Sequence, residues 1–312
     1  MKKKLLVIVG PTAVGKTFIS VETAKMIGSE IISADAMQIY IGMDIGTAKI
    51  REDEKQGIPH HMIDLVYPNE KFTVSDFKTR SKTIIERLHT SDKIPVIAGG
   101  TGLYVNALLY NLNFSNTMSD ARIRSKLTQL LETKGKEHLH KMLESFDPIA
   151  ANRIHMNNAK RVMRALEVYS ITGKPFSSYN TDFREESGDY DFVIIGLEMD
   201  RQLLYNRINE RVDDMVNEGL IEEVSRLRAL GYGRELTSMQ GIGYKEIMQY
   251  LDRETTLEES IRLLKRNTRR LAKRQFTWFK ADQRIKWINV DPVNIEHTMY
   301  AVQNYLSERG IL

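Results

Sequence analysis

LLVIVGPTAVGKT (5–17) is the stretch from which the rest of the chain can be read. LLVIV (5–9) is an unbroken apolar run of strand length, the signature of a strand buried on both faces. GPTAVGKT (10–17) matches G-x-x-x-x-G-K-[ST], and helical spacing follows from about Thr17 to Ile27. Strand, glycine loop and helix come in the order the motif requires. Gly10 and Gly15 let the backbone curl so that successive N–H groups point inward, and a helix N-terminus adds its dipole. Gly10, Pro11, Thr12, Ala13, Val14, Gly15, Lys16 and Thr17 therefore form a candidate phosphate cradle. Lys16 supplies a point charge and Thr17 a hydroxyl for Mg²⁺.

Working outward, EIISAD (30–35) reads as a second strand ending at Asp35, Val74 to Leu88 as a helix, and PVIAGG (95–100) as a third strand followed by Thr101 and a helix through Leu109. This rhythm predicts an α/β fold, a P-loop-containing doubly wound parallel sheet. From about Asn116 to Thr172 the pattern is helical throughout, broken at Asp147-Pro148. FVIIGL (192–197) returns to strand, Asp200 is placed to cap the next helix, and the pattern stays helical to Trp278. The expected organisation is a core of 1–115 and 185–312 with a helical C-terminal part, interrupted by a helical insertion domain over 116–184.

Composition narrows the function. The 312 residues suffice for about two domains at roughly 150 residues each. The absence of cysteine excludes a disulfide scaffold, a thiol nucleophile, a thiolate zinc site and an iron–sulfur cluster, and fits the cytosol. No apolar run approaches the ~20 residues of a membrane span, and MKKK followed by a five-residue run with no cleavage site is not a signal peptide. The net charge of +4 hides an asymmetry: Ile261 to Lys286 holds ten Lys and Arg against Asp282 alone. Arg262, Arg266, Arg269 and Lys273 recur at helical spacing, as a face meeting a polyanion requires; a solvated helix face is the alternative. Trp278 and Phe279 read first as core residues, with stacking on bases as the alternative. His60 and His61 point apart on a strand and lack a third ligand at useful spacing, so no metal site is expected there.

Ligands of a parallel sheet bind beyond the carboxyl ends of its strands, so the loop 10–17, Asp35 and Thr101 converge on one crevice. PVIAGGT carries no acid at its end, unlike the metal-holding strand of a motor or switch NTPase. Phosphate leaving group, carboxylate and hydroxyl make a transferase arrangement, and a small-molecule kinase fits these residues equally well.

GPTAVGKT, ISADAMQIYIGMDIGTAK (32–49), PHHMIDL (59–65), AGGTGLY (98–104), RALEVYSITGKP (164–175), GIGYKE (241–246) and LAKRQFTWF (271–279), in this order over nearly the whole chain, resemble the tRNA dimethylallyltransferases, also called tRNA isopentenyltransferases. The resemblance is to the bacterial form, since eukaryotic relatives carry a cysteine-containing zinc finger. It departs at Ala36, where the family usually has Ser. It implies transfer of a dimethylallyl group from dimethylallyl diphosphate to the exocyclic amine of the adenosine just 3′ of the anticodon, with Mg²⁺ as cofactor. It implies that Asp35 is the general base, that Thr101 contacts adenosine and diphosphate, and that Arg211 stabilises the leaving group. A surface charge paired with Asp213 or Asp214 is the plainer reading of Arg211, and a helix N-cap that of Thr101. The implied tRNA contacts are Asp35, Ala36, Met37, Gln38, Thr101, Lys160, Arg161, Arg164, Gln240, Gly241, Gly243, Tyr244 and Lys245, joined by Arg269, Arg270 and Lys273 of the basic segment. The target base must leave its stack to be reached. The expected partners are a tRNA anticodon stem–loop and dimethylallyl diphosphate, without a membrane, for a cytoplasmic monomer. A prenyltransferase acting on a free nucleotide does not need the basic segment, and a non-catalytic RNA-binding module leaves the phosphate loop and Asp35 unexplained.

Overall fold

In the computed structural model, which describes residues 2–110, 120–179 and 188–312, the chain divides into two compact units. One runs up to Leu109 and resumes at Gly188; the other holds the described residues from Tyr110 to Tyr179. The expected boundaries at 115/116 and 184/185, and the expected helical residues 116–119, lie outside the described residues.

The first unit is built on a parallel sheet. In chain order it contains β1 (Lys3–Val9), α1 (Lys16–Met26), β2 (Ile31–Ser33), α2 (Glu52–Lys55), β3 (His60–His61), α3 (Val74–Thr90), β4 (Val96–Gly99) and α4 (Gly102–Leu109). The second unit supplies α5 (Ala121–Phe146), α6 (Pro148–Arg153) and α7 (Ala159–Thr172). The first unit then continues with β5 (Tyr190–Glu198), α8 (Arg201–Asn217), α9 (Leu220–Ala229), α10 (Tyr244–Leu251), α11 (Leu257–Lys280), β6 (Lys286–Asn289) and α12 (Ile295–Glu308). The strand order is β3-β2-β4-β1-β5-β6, and every pairing is parallel. β1 lies at the centre, Leu6 opposite Val96 of β4 and Val193 of β5.

The apolar run decides this placement. Leu5 to Val9 are all at most 1% exposed, as a strand covered on both faces requires. Leu6 and Ile8 face a core with Ile19 and Ala24 of α1, Ile208 of α8 and Val302 and Leu306 of α12. Each such side chain contributes about 1.5–3 kcal/mol by leaving water. Asp200 caps α8 as expected, accepting from the Gln202 and Leu203 amides at 2.8 and 3.0 Å.

One strand, β6, differs from expectation, and β3 falls where His60 and His61 were read on a strand. The part after residue 200 is not wholly helical: β6 pairs with β5, Trp287 opposite Gly196, and α12 follows it. β3 is the two-residue strand His60–His61 at the other edge. Both are short, as edge strands are, so neither gives a buried-strand pattern.

In the second unit Leu127, Leu139 and Leu143 of α5 pack with Ala150, Val162 and Leu166. Asp147 ends one helix and starts another. Its carboxylate accepts from the Ala150 amide (3.0 Å), with Pro148 in the first turn, and from the Ser177 amide (2.7 Å).

Candidate active site

Beyond the carboxyl ends of β1, β2 and β4 lies a cavity of about 610 Å³. The phosphate loop forms one wall. Gly15 turns the chain into α1 at φ 104°, a conformation that favours glycine, and Ala13 holds φ 65°. No side chain caps α1 and no acid occupies its first turn, so its leading amides face the cavity's ligand space. Thr12, Ala13, Gly15, Lys16 and Thr17 line the cavity, while Val14 turns its side chain wholly into the core.

Lys16 is half-buried at the cavity wall, its ammonium donating to the Pro11 carbonyl at 2.7 Å. Burial pushes its pKa down to about 7; Asp35 pulls it upward, and Arg211 adds to the fall. Burial likewise pushes the Asp35 carboxyl up, opposed by the Met37 amide (2.9 Å), by Lys16 and by the Gln38 amide. The Met37 bond is an Asx turn, so Asp35 both shapes its loop and faces the cavity. Arg211 also lines the cavity; burial, and then Arg207, weakens its hold on its proton. Asp213, a partner considered for it, is taken by Lys265 at 2.7 Å.

Thr101 is not a side-chain cap of α4. Its hydroxyl accepts from the Ala36 amide at 2.9 Å, while its carbonyl begins α4 by accepting from Tyr104 (2.9 Å) and Val105 (3.1 Å). The segment after β2 and the end of β4 are thereby tied together. Gly10, Pro11, Ala36 and Thr101 do not themselves line the cavity. Gln38 does, but its amide is already engaged: Ser33 donates to its oxygen (3.0 Å), and its nitrogen donates to the Thr47 and Ala48 carbonyls (3.4 and 3.3 Å).

Gln240, Gly241 and Lys245 line the cavity as well. Tyr244, expected at the tRNA, is instead fully buried, its hydroxyl donating to Glu223 at 2.6 Å. Gly243 is likewise structural, its amide donating to Glu246 at 2.8 Å. On α11, Arg270 and Lys273 are exposed, whereas Arg269 is partly buried and bonds to Asn209 of α8. The basic segment is less bare than its sequence suggests, because Glu259, Asp213 and Glu198 pair with Arg262, Lys265 and Lys280. Phe279 is core, but Trp278 is 43% exposed, contrary to the core placement expected for it. In the second unit Lys160 and Arg161 are exposed at the start of α7, and Arg164 pairs at 3.0 Å with the buried Glu167.

Three residues escaped the sequence reading. Arg207 donates to the Ala13 carbonyl (3.0 Å), and its position one helical turn before Arg211 was a usable signal. Glu223 accepts from the amides of Asp44, Ile45 and Gly46 at 2.9, 2.8 and 3.1 Å. Its place among Leu220, Val224 and Leu227 on the apolar face of α9 marked it as buried. Gln275 bonds to the phosphate loop and to Gly100, and no local pattern announced it.

The described residues hold no group of three His, Cys, Asp or Glu able to cage a metal. The donor beside the phosphate loop, the Thr17 hydroxyl, fits Mg²⁺ bound chiefly through substrate phosphates. No described helix is long and apolar enough to cross a membrane.

The sequence model of IPP transferase matches residues 38–282. A tRNA dimethylallyltransferase of Acetivibrio thermocellus is 49% identical over 308 residues, 98% of each chain. Another, of Carboxydothermus hydrogenoformans, is 47% identical over 311 residues, covering 100% of this chain and 99% of that protein. Among solved structures, the full-length tRNA isopentenylpyrophosphate transferase of Bacillus halodurans superposes with a TM-score of 0.72 at 45% identity, covering 99% of this chain and 98% of that one. A eukaryotic dimethylallyltransferase acting on tRNA superposes with a TM-score of 0.79 at 31% identity, over 97% of this chain and 78% of that one.

Proposed function

The chain belongs to the IPP transferase family, and on that premise we propose that it is a tRNA dimethylallyltransferase acting on the adenosine 3′-adjacent to the anticodon. The observation that carries the reading is the meeting in one cavity of Lys16, Arg211 and uncapped helix amides with the Asp35 carboxylate. The cationic side holds the diphosphate of dimethylallyl diphosphate. The anionic side waits for the proton that the amine must lose.

In the transfer, the allylic C–O bond to the diphosphate breaks as the adenine exocyclic nitrogen bonds to the same carbon. The amine proton passes to Asp35, and the bond pair leaves with the diphosphate. Burial raises the proton affinity of Asp35, which suits a base that must take a proton near neutrality. Lys16, Arg211 and the loop amides stabilise the charge that grows on the leaving oxygen. Arg207 braces the loop through Ala13 and adds positive potential beside Arg211. Thr101 keeps the Ala36 amide, and with it the Asp35 turn, against the end of β4. Thr17 would hold Mg²⁺, which would add charge neutralisation at the leaving group.

The exposed Arg270 and Lys273 of α11 meet tRNA phosphates, as do Lys160 and Arg161 of the second unit. Incubation with labelled dimethylallyl diphosphate and bulk tRNA, followed by nucleoside analysis, tests the reading. Label is expected on the adenosine beside the anticodon. Label on free nucleotides alone, or tRNA-stimulated transfer from ATP, would replace it with the nucleotide prenyltransferase or the kinase.

A further inference from the structure

Three glycines surround Thr101, and each leaves room for a different neighbour. A Cβ on Gly99 would lie 2.3 Å from the Ala34 carbonyl oxygen, one on Gly100 2.3 Å from Gln275 Nε2, and one on Gly102 2.3 Å from Trp278 Cδ1. Gln275 and Trp278 lie three residues apart on α11, so one helix face presses against this segment.

Gln275 is bonded there as well as packed. Its Oε1 accepts from the Thr12 amide at 2.8 Å, and its Nε2 donates to the Gly100 carbonyl at 3.0 Å. One neutral side chain thus spans the crevice from the loop after β1 to the end of β4. The next residue, Thr101, accepts from Ala36, the neighbour of Asp35. A continuous path of hydrogen bonds and short backbone links therefore joins the phosphate loop to the carboxylate through Gln275, which lies 263 residues from Thr12 and 175 from Gly100 in the chain.

We propose that Gln275 is a positioning residue that sets the separation between the phosphate loop and the Thr101–Asp35 wall of the crevice. The inference rests on the reading above, in which the loop holds the leaving group and Asp35 takes the proton. Gln275 bears no charge and touches neither reacting atom; it acts through the two segments it holds. A misplacement of about 1 Å in such a site costs on the order of 100-fold in rate.

Two substitutions test this. Gln275→Met keeps length and bulk but makes neither bond. At saturating substrates its single-turnover rate is expected to fall roughly 10- to 100-fold, with the Kd values for tRNA and for dimethylallyl diphosphate each within about twofold of the parent. Gln275→Glu adds a pH readout. An ionised carboxylate accepts from Thr12 but has no proton for the Gly100 carbonyl, whereas the protonated carboxyl accepts and donates like the parent amide. Its rate relative to the parent is therefore expected to climb as pH falls through the introduced acid's pKa, while the Gln275→Met ratio stays flat. If Gln275→Met does not fold, the pH ratio of Gln275→Glu decides. A parent-like rate in Gln275→Met, a loss confined to affinity, or a flat Gln275→Glu ratio would overturn the inference while leaving the proposed function standing. A parent unable to prenylate tRNA would overturn both.

Discussion

Lys16 and Asp35 carry opposite charges into one enclosed space, and each is perturbed by it. The Lys16 ammonium, held down to about 7 chiefly by burial, is only partly charged above neutrality. A bound diphosphate favours the charged form, so binding must take up a proton at pH 8. Calorimetry in buffers of different ionisation heat should show that uptake in the parent and none in Lys16→Met. Affinity for dimethylallyl diphosphate should weaken as pH rises past 7. Lys16→Ala should also lose about 100-fold or more in rate, as when a leaving-group stabiliser is removed, and still bind tRNA. Asp35→Asn preserves shape but cannot accept the proton. Its turnover is expected to fall roughly 100- to 10,000-fold, the range for a positioned acid–base group, with a smaller change in affinity. Intact single-turnover chemistry in that variant would make Asp35 a recognition residue only.

At the scale of elements, α11 has two faces with different tasks. Gln275 and Arg269 point inward to bonds, while Arg270 and Lys273 are exposed. Replacing Arg270 and Lys273 by Gln should reduce the slope of log affinity for tRNA against log salt by about 1.4 to 1.8, if each neutralises one phosphate. Arg269→Gln should leave that slope unchanged, because its guanidinium is bonded to Asn209. Equal slopes for parent and double variant would place the RNA elsewhere. The same helix marks where reading from sequence stops. The run at 5–9, the phosphate loop and Asp35 were legible because strand, loop and helix follow one another within thirty-odd residues. Gln275, Arg207 and Glu223 act on partners far away in the chain, at Thr12, Ala13 and the 44–46 amides. Tyr244 was misplaced for the same reason: nothing beside it announces the buried Glu223 it bonds. β6 escaped because a short edge strand needs little apolar pattern of its own.

On the scale of the whole molecule, a charged cluster near the edge of the sheet serves stability and not the chemistry. The cavity lies past the carboxyl ends of the strands, while Glu30, just before β2, gathers His61 (2.7 Å), Arg87 (2.6 Å) and Lys93 (3.2 Å). Burial pushes the Glu30 carboxyl up, but hydrogen bonds from His61, Lys93 and Arg87 outweigh it and hold the pKa at about 2. A carboxylate depressed in the folded state stabilises above its unfolded pKa and loses that contribution as pH falls toward the folded value. Glu30→Gln should therefore lower Tm at pH 7, and the difference should shrink between about pH 4.5 and pH 2. Its transfer rate below the melting range should match the parent; a rate loss without a Tm change would mean that the cluster serves the cavity instead.

The central place of β1 has a consequence during synthesis. Among the described strands it is made first, yet its neighbours are β4 and β5, with Lys3 registered against Tyr190. At 5–20 residues per second, the second neighbour follows on the order of 10 to 40 s later. Until then LLVIV, the most apolar stretch of the chain, has an open side in the nascent polypeptide. Early chaperone engagement of this stretch, with release once β5 has emerged, is the outcome expected from this topology.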